Sequence, residues 1–259
     1  MLYIYTVLFY LLPVMLTSKD SPLCPPASLL KLHPALWRGS QFSTRAGPTV
    51  STGFAALDAE LPGQGWPTGA LIELLTPHSG IGEIRLLRAA LHAQPTPQPV
   101  VLLQPPYQPN IACWSDWRFG PQRLLHLTPQ RARDAYWSAE QILKNGSCAA
   151  LLFWAHPVQS SVLKRLHLAA QNSQTLFFMF RPLSVQNEAS PAVLRVMLAA
   201  EQTGALTLSI LKRRGPACGH VITLASPPSE LFSTITHDLM DRPAPAQPQP
   251  RHVATPLAD

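Results

Sequence analysis

The sequence predicts an α/β fold, a mostly parallel sheet flanked by helices, with antiparallel hairpin strands at the C-terminal edge. Three observations predict it. Short apolar runs at residues 71–75, 100–103, 124–127, 149–154 and 175–180 have the length of strands, and most are continuous enough to be covered on both faces. Helical periodicity separates several of them, at 83–93, 131–144 and 161–171, so strands alternate with crossover helices. Beyond Pro191 the alternation stops. Runs at 193–199, 206–212 and 220–224 follow with no helix between them, which predicts hairpins at a sheet edge, the first two turning near Gly204.

Composition supports one large domain with tails. The chain has 259 residues, of which 46% are hydrophobic, enough to bury a sizeable core. Charged residues make up 13%, about half the ordinary share of ~25%. Only 14 are carboxylates, so each can be inspected. The net charge of +6 permits an acidic partner such as nucleic acid without requiring one. Cys24, Cys113, Cys148 and Cys218 are widely spaced with no C-x-x-C pair, which argues for buried thiols in a reducing compartment and against a disulfide framework or a zinc site.

Taken in order, residues 1–29 read as an apolar, then Pro-rich extension. The run 2–16 is shorter than a membrane span and lacks the basic residues that precede a signal sequence. It reads as an extended or misplaced start, with Met15 an alternative start and a weak membrane anchor the competing reading. Residues 30–46 are expected to hold a short helix at 34–41, with Leu36 and Trp37 on its apolar face, and a linker. The domain proper is expected over 47–225. It opens with a turn at Ser51-Thr52-Gly53, a short helix at 54–61 burying Leu57 and Leu61, and a glycine-rich loop at 62–69. The helix at 83–93 places Ile84, Leu87 and Leu91 on one face and Arg85 and Arg88 on another. The helix at 131–144 turns Ala132, Ala135, Ala139 and Ile142-Leu143 inward, and Gly146 is placed to end it. Of Trp37, Trp114, Trp117, Trp137 and Trp154, most are expected in the core; Trp37 is the exception, an apolar pair with Leu36 that reads as docking either on the domain's own core or on another subunit. Residues 226–259 read as a Pro-rich, largely disordered tail with a short helix at 231–240.

The stretch 71–88 is a strand, a glycine turn and a helix, the arrangement that holds phosphates in a P-loop. A working P-loop needs G-x-x-x-x-G-K-[ST], its Lys on the β/γ-phosphates and its hydroxyl on Mg²⁺. Here Thr76, Ser79, Gly80, Gly82 and Glu83 make a degenerate loop with no Lys, which reads as a glycine turn kept for geometry, with anion binding by the bare N–H groups of 80–82 the competing reading. A carboxylate at Glu83, in the first helical turn, favours the helix dipole and repels phosphate. Hydrolysis would also need an acidic residue at a neighbouring strand end. The strand at 100–103 runs into Gln104-Pro105-Pro106, and the strand at 149–154 into Ala155-His156-Pro157. Neither supplies one, so no catalytic residue and no cofactor is assigned.

His78, His126, His156 and His167 are scattered without metal-ligand spacing, and no metal site is assigned. Lys212, Arg213 and Arg214 form a basic turn after a strand. It reads either as a contact for phosphate or an acidic partner, or as a solubilising hairpin loop. Arg85, Arg88, Lys164 and Arg165 would extend that patch if they share its side.

LHPALWRGSQ (32–41), STGFAALDAELPGQGWPTGALIELL (51–75), GIGEIRLL (80–87) and LKRRGP (211–216) together resemble the ImuA family, RecA-like proteins associated with translesion DNA synthesis. The resemblance covers roughly residues 30–225. Against RecA, the Walker lysine and its Ser/Thr fall at Gly82 and Glu83, and the catalytic glutamate near residues 104–106. The resemblance implies a RecA-like core without ATP turnover, and a cytoplasmic accessory role in an SOS mutagenesis complex. The implied partners are the inactive Y-family polymerase homologue ImuB, with RecA and an error-prone replicative-type polymerase as further contacts. It also suggests that Leu36, Trp37 and Arg38 dock on a neighbouring RecA-like subunit, and that Lys212–Arg214 contact DNA or an acidic surface. A weaker similarity, over roughly 70–183, is to SulA, the SOS-induced inhibitor of the division protein FtsZ. SulA-like proteins lack the N-terminal extension and the KRRGP turn.

Overall fold

The computed structural model describes residues 47–94, 98–155, 157–215 and 219–225. Leu36, Trp37 and Arg38, the expected helix at 34–41 and the expected tail at 226–259 lie outside them. So does His156. Among the described residues, no helix is long and apolar enough to cross a membrane.

The element order is β1 (Thr49–Val50), α1 (Ala55–Glu60), β2 (Trp66–Pro67), β3 (Ala70–Thr76), α2 (Glu83–His92), β4 (Val100–Leu103), α3 (Ile111–Asp116), β5 (Leu124–Leu127), α4 (Ala132–Asn145), β6 (Ala150–Trp154), α5 (Ser160–Gln171), β7 (Leu176–Pro182), β8 (Leu194–Ala200), β9 (Leu206–Lys212) and β10 (Val221–Leu224). The main sheet has eight strands in the order β10-β9-β8-β3-β7-β6-β4-β5. From β8 to β5 every neighbouring pair is parallel, while β9 and β10 join antiparallel. The predicted fold class holds, hairpin edge included.

Alternation along the strands sends their side chains into two cores. Ile72, Leu74, Leu102, Leu152 and Phe178 pack with α1, α2 and α3 on one face. Leu71, Val101, Leu151, Phe177 and Met179 pack with α4 and α5 on the other. At the hairpin edge the described residues cover only the first face. Leu206, Leu208, Ile210, Ile222 and Leu224 are buried there, whereas Leu211, Val221 and Thr223 are exposed. The far edge, β5, is a strand as read, but Leu125 and Leu127 are exposed.

Several finer expectations change. The apolar stripe of α2 is Leu86, Leu87, Ala90 and Leu91, the i, i+1, i+4, i+5 pattern of one helical face, and Ile84 is only half-buried. Ala132 is exposed because α4 begins there, before its stripe of Ala135, Ala139 and Leu143 reaches the sheet. Trp137 is 61% exposed, lying between two stripe positions and therefore turned away from them. Among the described tryptophans Trp66 is the fully buried one, edge-on to Phe178 at 5.3 Å between centroids. Sequence reading passed over two small elements. One is the β1–β2 ribbon that carries Trp66. The other is α3, a six-residue helix started by Asn110, whose side chain accepts from the N–H groups of Ala112 (3.0 Å) and Cys113 (3.4 Å).

The turn at residues 51–53 is fixed from α1. Asp58 accepts from the Ser51 hydroxyl at 2.7 Å and from the Thr52 N–H at 2.9 Å. The motif that carries much of the family resemblance thus has a structural task here, holding the entry chain against α1.

Candidate functional site

β3 delivers the chain to the turn at residues 77–82, and α2 leaves it. The turn lies at the C-terminal ends of the strands. Between β4 and β6 the outgoing connections part to opposite faces, α3 to one and α5 to the other. That is the position at which open α/β sheets form a binding crevice.

Gly80 and Gly82 have φ of 89° and 103°, a left-handed conformation that costs a side-chain-bearing residue steric strain and costs glycine little. With both so turned, their N–H groups converge as a P-loop's would on a phosphate. The acceptor is Glu83. Its carboxylate takes the Gly80 N–H at 2.9 Å and 3.1 Å, one contact to each oxygen, and the Gly82 N–H at 3.1 Å. Glu83 is 4% exposed, so the carboxylate is built into the turn. An incoming phosphate would meet both occupied donors and like charge. Two unit charges ~4 Å apart repel by roughly 4 kcal/mol at an effective dielectric of ~20. The residue expected to cap the helix dipole also fills the anion seat.

The other residues of the degenerate loop are spread around this seat. Thr76 is buried at the end of β3, and Ser79 is half-buried. Together with His78, Gln104 and Arg181 they line a cavity of about 460 Å³ at the strand ends. Gln104 stands at the end of β4 with φ 56°, and its side-chain amide donates to the Pro129 carbonyl. At the end of β4, where the resemblance would put a catalytic carboxylate, this chain has an amide held by backbone. Among the described residues, no group of three His, Cys, Asp or Glu is placed to hold a metal ion.

The basic turn is more engaged than its sequence suggested. The Lys212 ammonium donates to the Ser190 carbonyl at 2.8 Å. Arg213 donates to the Glu60 carbonyl and, at 3.1 Å, to its carboxylate, which ties the turn to the end of α1. Arg214 is exposed. Lys212 and Arg214 lie close enough to α5 that their positive charge, after burial, holds the pKa of His167 below its ordinary value. Lys164 and Arg165 are on α5, and Arg165 is paired with Glu140 at 2.9 Å. Arg85 and Arg88 are on α2, across the sheet. The imagined continuous patch is therefore split between two faces.

Sequence reading missed the charged cluster inside the sheet. Glu73, fully buried on β3, accepts from Arg181 at 3.2 Å, from Arg195 at 2.7 Å and from the Ser190 hydroxyl at 2.8 Å. Arg195 is its register partner on β8, and Arg181 reaches it from β7. Arg181 also pairs with Glu188 at 3.0 Å, and Arg195 donates to the carbonyls of Val185, Gln186 and Glu188. Two carboxylates and two guanidiniums thus balance, and they pin the 183–190 connection to the central strand. The available signal was a lone Glu in a run of Leu and Ile, in a chain with so few carboxylates.

Compared with known proteins, the chain matches no family model and no curated protein at a significant level.

Proposed function

We propose that this protein is a non-catalytic, cytoplasmic accessory component of a damage-induced translesion synthesis complex, acting through RecA-type protein–protein surfaces. One observation carries the reading. The Glu83 carboxylate occupies the backbone donors that a P-loop offers to phosphate, the turn has no Lys, and no carboxylate directly follows β4 or β6. A RecA-like core arranged in this way keeps its scaffold and its surfaces and leaves ATP chemistry out. The ImuA resemblance supplies the context, with an ImuB-like polymerase homologue as the principal partner and RecA, an error-prone polymerase and DNA as further contacts.

The test has two arms. Co-purification of the full chain with the ImuB-type protein and with RecA is expected, and loss of both would end the adaptor reading. ATP·Mg²⁺ is expected to leave the Tm unchanged, and a clear rise would end the reading of an idle loop. Inhibition of FtsZ polymerisation in vitro would instead move the protein to the SulA type.

A further inference from the structure

Two cavities flank one arginine on α2. The first, about 420 Å³, opens between the turn, the loop after β4 and α3, with Tyr107, Trp114 and Trp117 among its walls. The second, about 520 Å³, lies between α2 and the β9–β10 hairpin, over Phe54, Leu86, Leu206 and Leu224. Gly82 and Arg85 line both.

Arg85 is half-buried, and among the described residues it has no hydrogen bond and no ion pair. Arg88, one turn further along α2, is exposed, and its guanidinium stands 5.8 Å from the centre of the Trp117 ring. A guanidinium between two apolar hollows has lost part of its hydration and regains it best from a carboxylate in a paired geometry. Among the described residues none is free to pair with it. Glu83, two residues before Arg85 on α2, is committed to the Gly80 and Gly82 N–H groups, and no other described carboxylate lines either cavity.

We propose that this groove binds a linear peptide of a partner protein in which one Asp or Glu stands between large apolar side chains. The carboxylate pairs with Arg85, with Arg88 alongside, and the apolar side chains fill the hollows on either side. Charge complementarity selects this occupant: the middle of the groove is cationic, its two ends are apolar, and among the described residues it holds no uncommitted negative group. The inference goes beyond the adaptor reading, because it stands on the groove alone and its test uses neither ImuB nor RecA.

The test is fluorescence anisotropy of a fluorescein-labelled Leu-Phe-Asp-Leu-Phe peptide titrated with the full chain. Saturable binding is expected, weakened roughly tenfold or more when the peptide carries Asn in place of Asp, since a charge-assisted pair is lost. Arg85→Gln should weaken the Asp peptide by a similar factor and leave the Asn peptide within about twofold. An unchanged melting curve for Arg85→Gln keeps the comparison clean. Absence of saturable binding, or equal loss for both peptides, overturns the proposal. Two further results would also overturn it by assigning the groove elsewhere. A gain of roughly tenfold on removing residues 226–259 would give it to the chain's own segment, and a dimer broken by Arg85→Gln would give it to a second copy.

Discussion

The Glu83 carboxylate accepts the Gly80 N–H at 2.9 Å and 3.1 Å, and with the Gly82 N–H at 3.1 Å it occupies the turn that a P-loop keeps open for phosphate. Glu83→Ala removes these charge-assisted bonds and leaves the Gly80 and Gly82 N–H groups without their protein acceptor, so it should destabilise the fold by about 1–3 kcal/mol. It also frees the seat. In millimolar inorganic phosphate the variant should recover part of its Tm while the wild-type chain does not move. Equal phosphate responses in the two proteins would show that Glu83 does not block the seat.

Glu73 tests the sheet interior. Replacing it by Gln leaves Arg181 and Arg195 short of a buried countercharge, at an expected cost of about 3–5 kcal/mol in urea unfolding. Glu188 is half-exposed on the same cluster, and Glu188→Gln should cost far less, about 1 kcal/mol or below. Similar losses for the two would deny Glu73 its central place.

Arg213 and Arg214 should separate although they are adjacent. Arg213→Ala breaks the tie to Glu60 and should cost about 1–2 kcal/mol. Arg214→Ala should stay within about 0.5 kcal/mol of wild type, as exposed changes usually do. It should raise the His167 pKa toward the ordinary histidine value in an NMR titration, because one of the charges that depress it is gone. A lowered histidine pKa means the folded chain resists protonation, so His167 contributes stability at neutral pH that is lost as acid is added.

Cys148 gives the alkaline counterpart. Burial pushes its thiol from 9.0 up to about 11, against smaller opposing effects of its hydrogen bonds. Between those values the unfolded thiol ionises and the folded one does not, so stability should fall as pH rises from about 9 to about 11. Cys148→Ala should flatten that fall. Under native conditions at pH 8, Ellman's reagent should react with half-buried Cys113 well before buried Cys148.

The fold is legible because apolar runs of strand length, punctuated by turn-forming Gly and Pro, leave a simple trace. They do so whether the strand is buried on both faces, as at 100–103, lies at the sheet edge, as at 124–127, or belongs to the edge hairpin, as at 206–212. Elements too short to show a period escaped. The six residues of α3 and the two-residue strands β1 and β2 are set by an Asn110 cap and by backbone pairing, which leave almost no periodic signal.

By itself, the sequence determined the α/β class, the strand–turn–helix at the centre of the sheet, and the absence of a Lys from that turn and of a carboxylate directly after β4 and β6. These are properties of residue type and local spacing, and local spacing survives in one dimension. The tertiary structure decided what the remaining charges do. It placed Glu83 on the glycine N–H groups, Glu73 between arginines 108 and 122 residues away, Arg213 on Glu60, and Arg85 between two hollows with no uncommitted carboxylate among the described residues. A charge acquires its role from the partner that folding brings within about 3 Å, and that partner is set by strand order and helix crossing, which no local pattern of residues encodes.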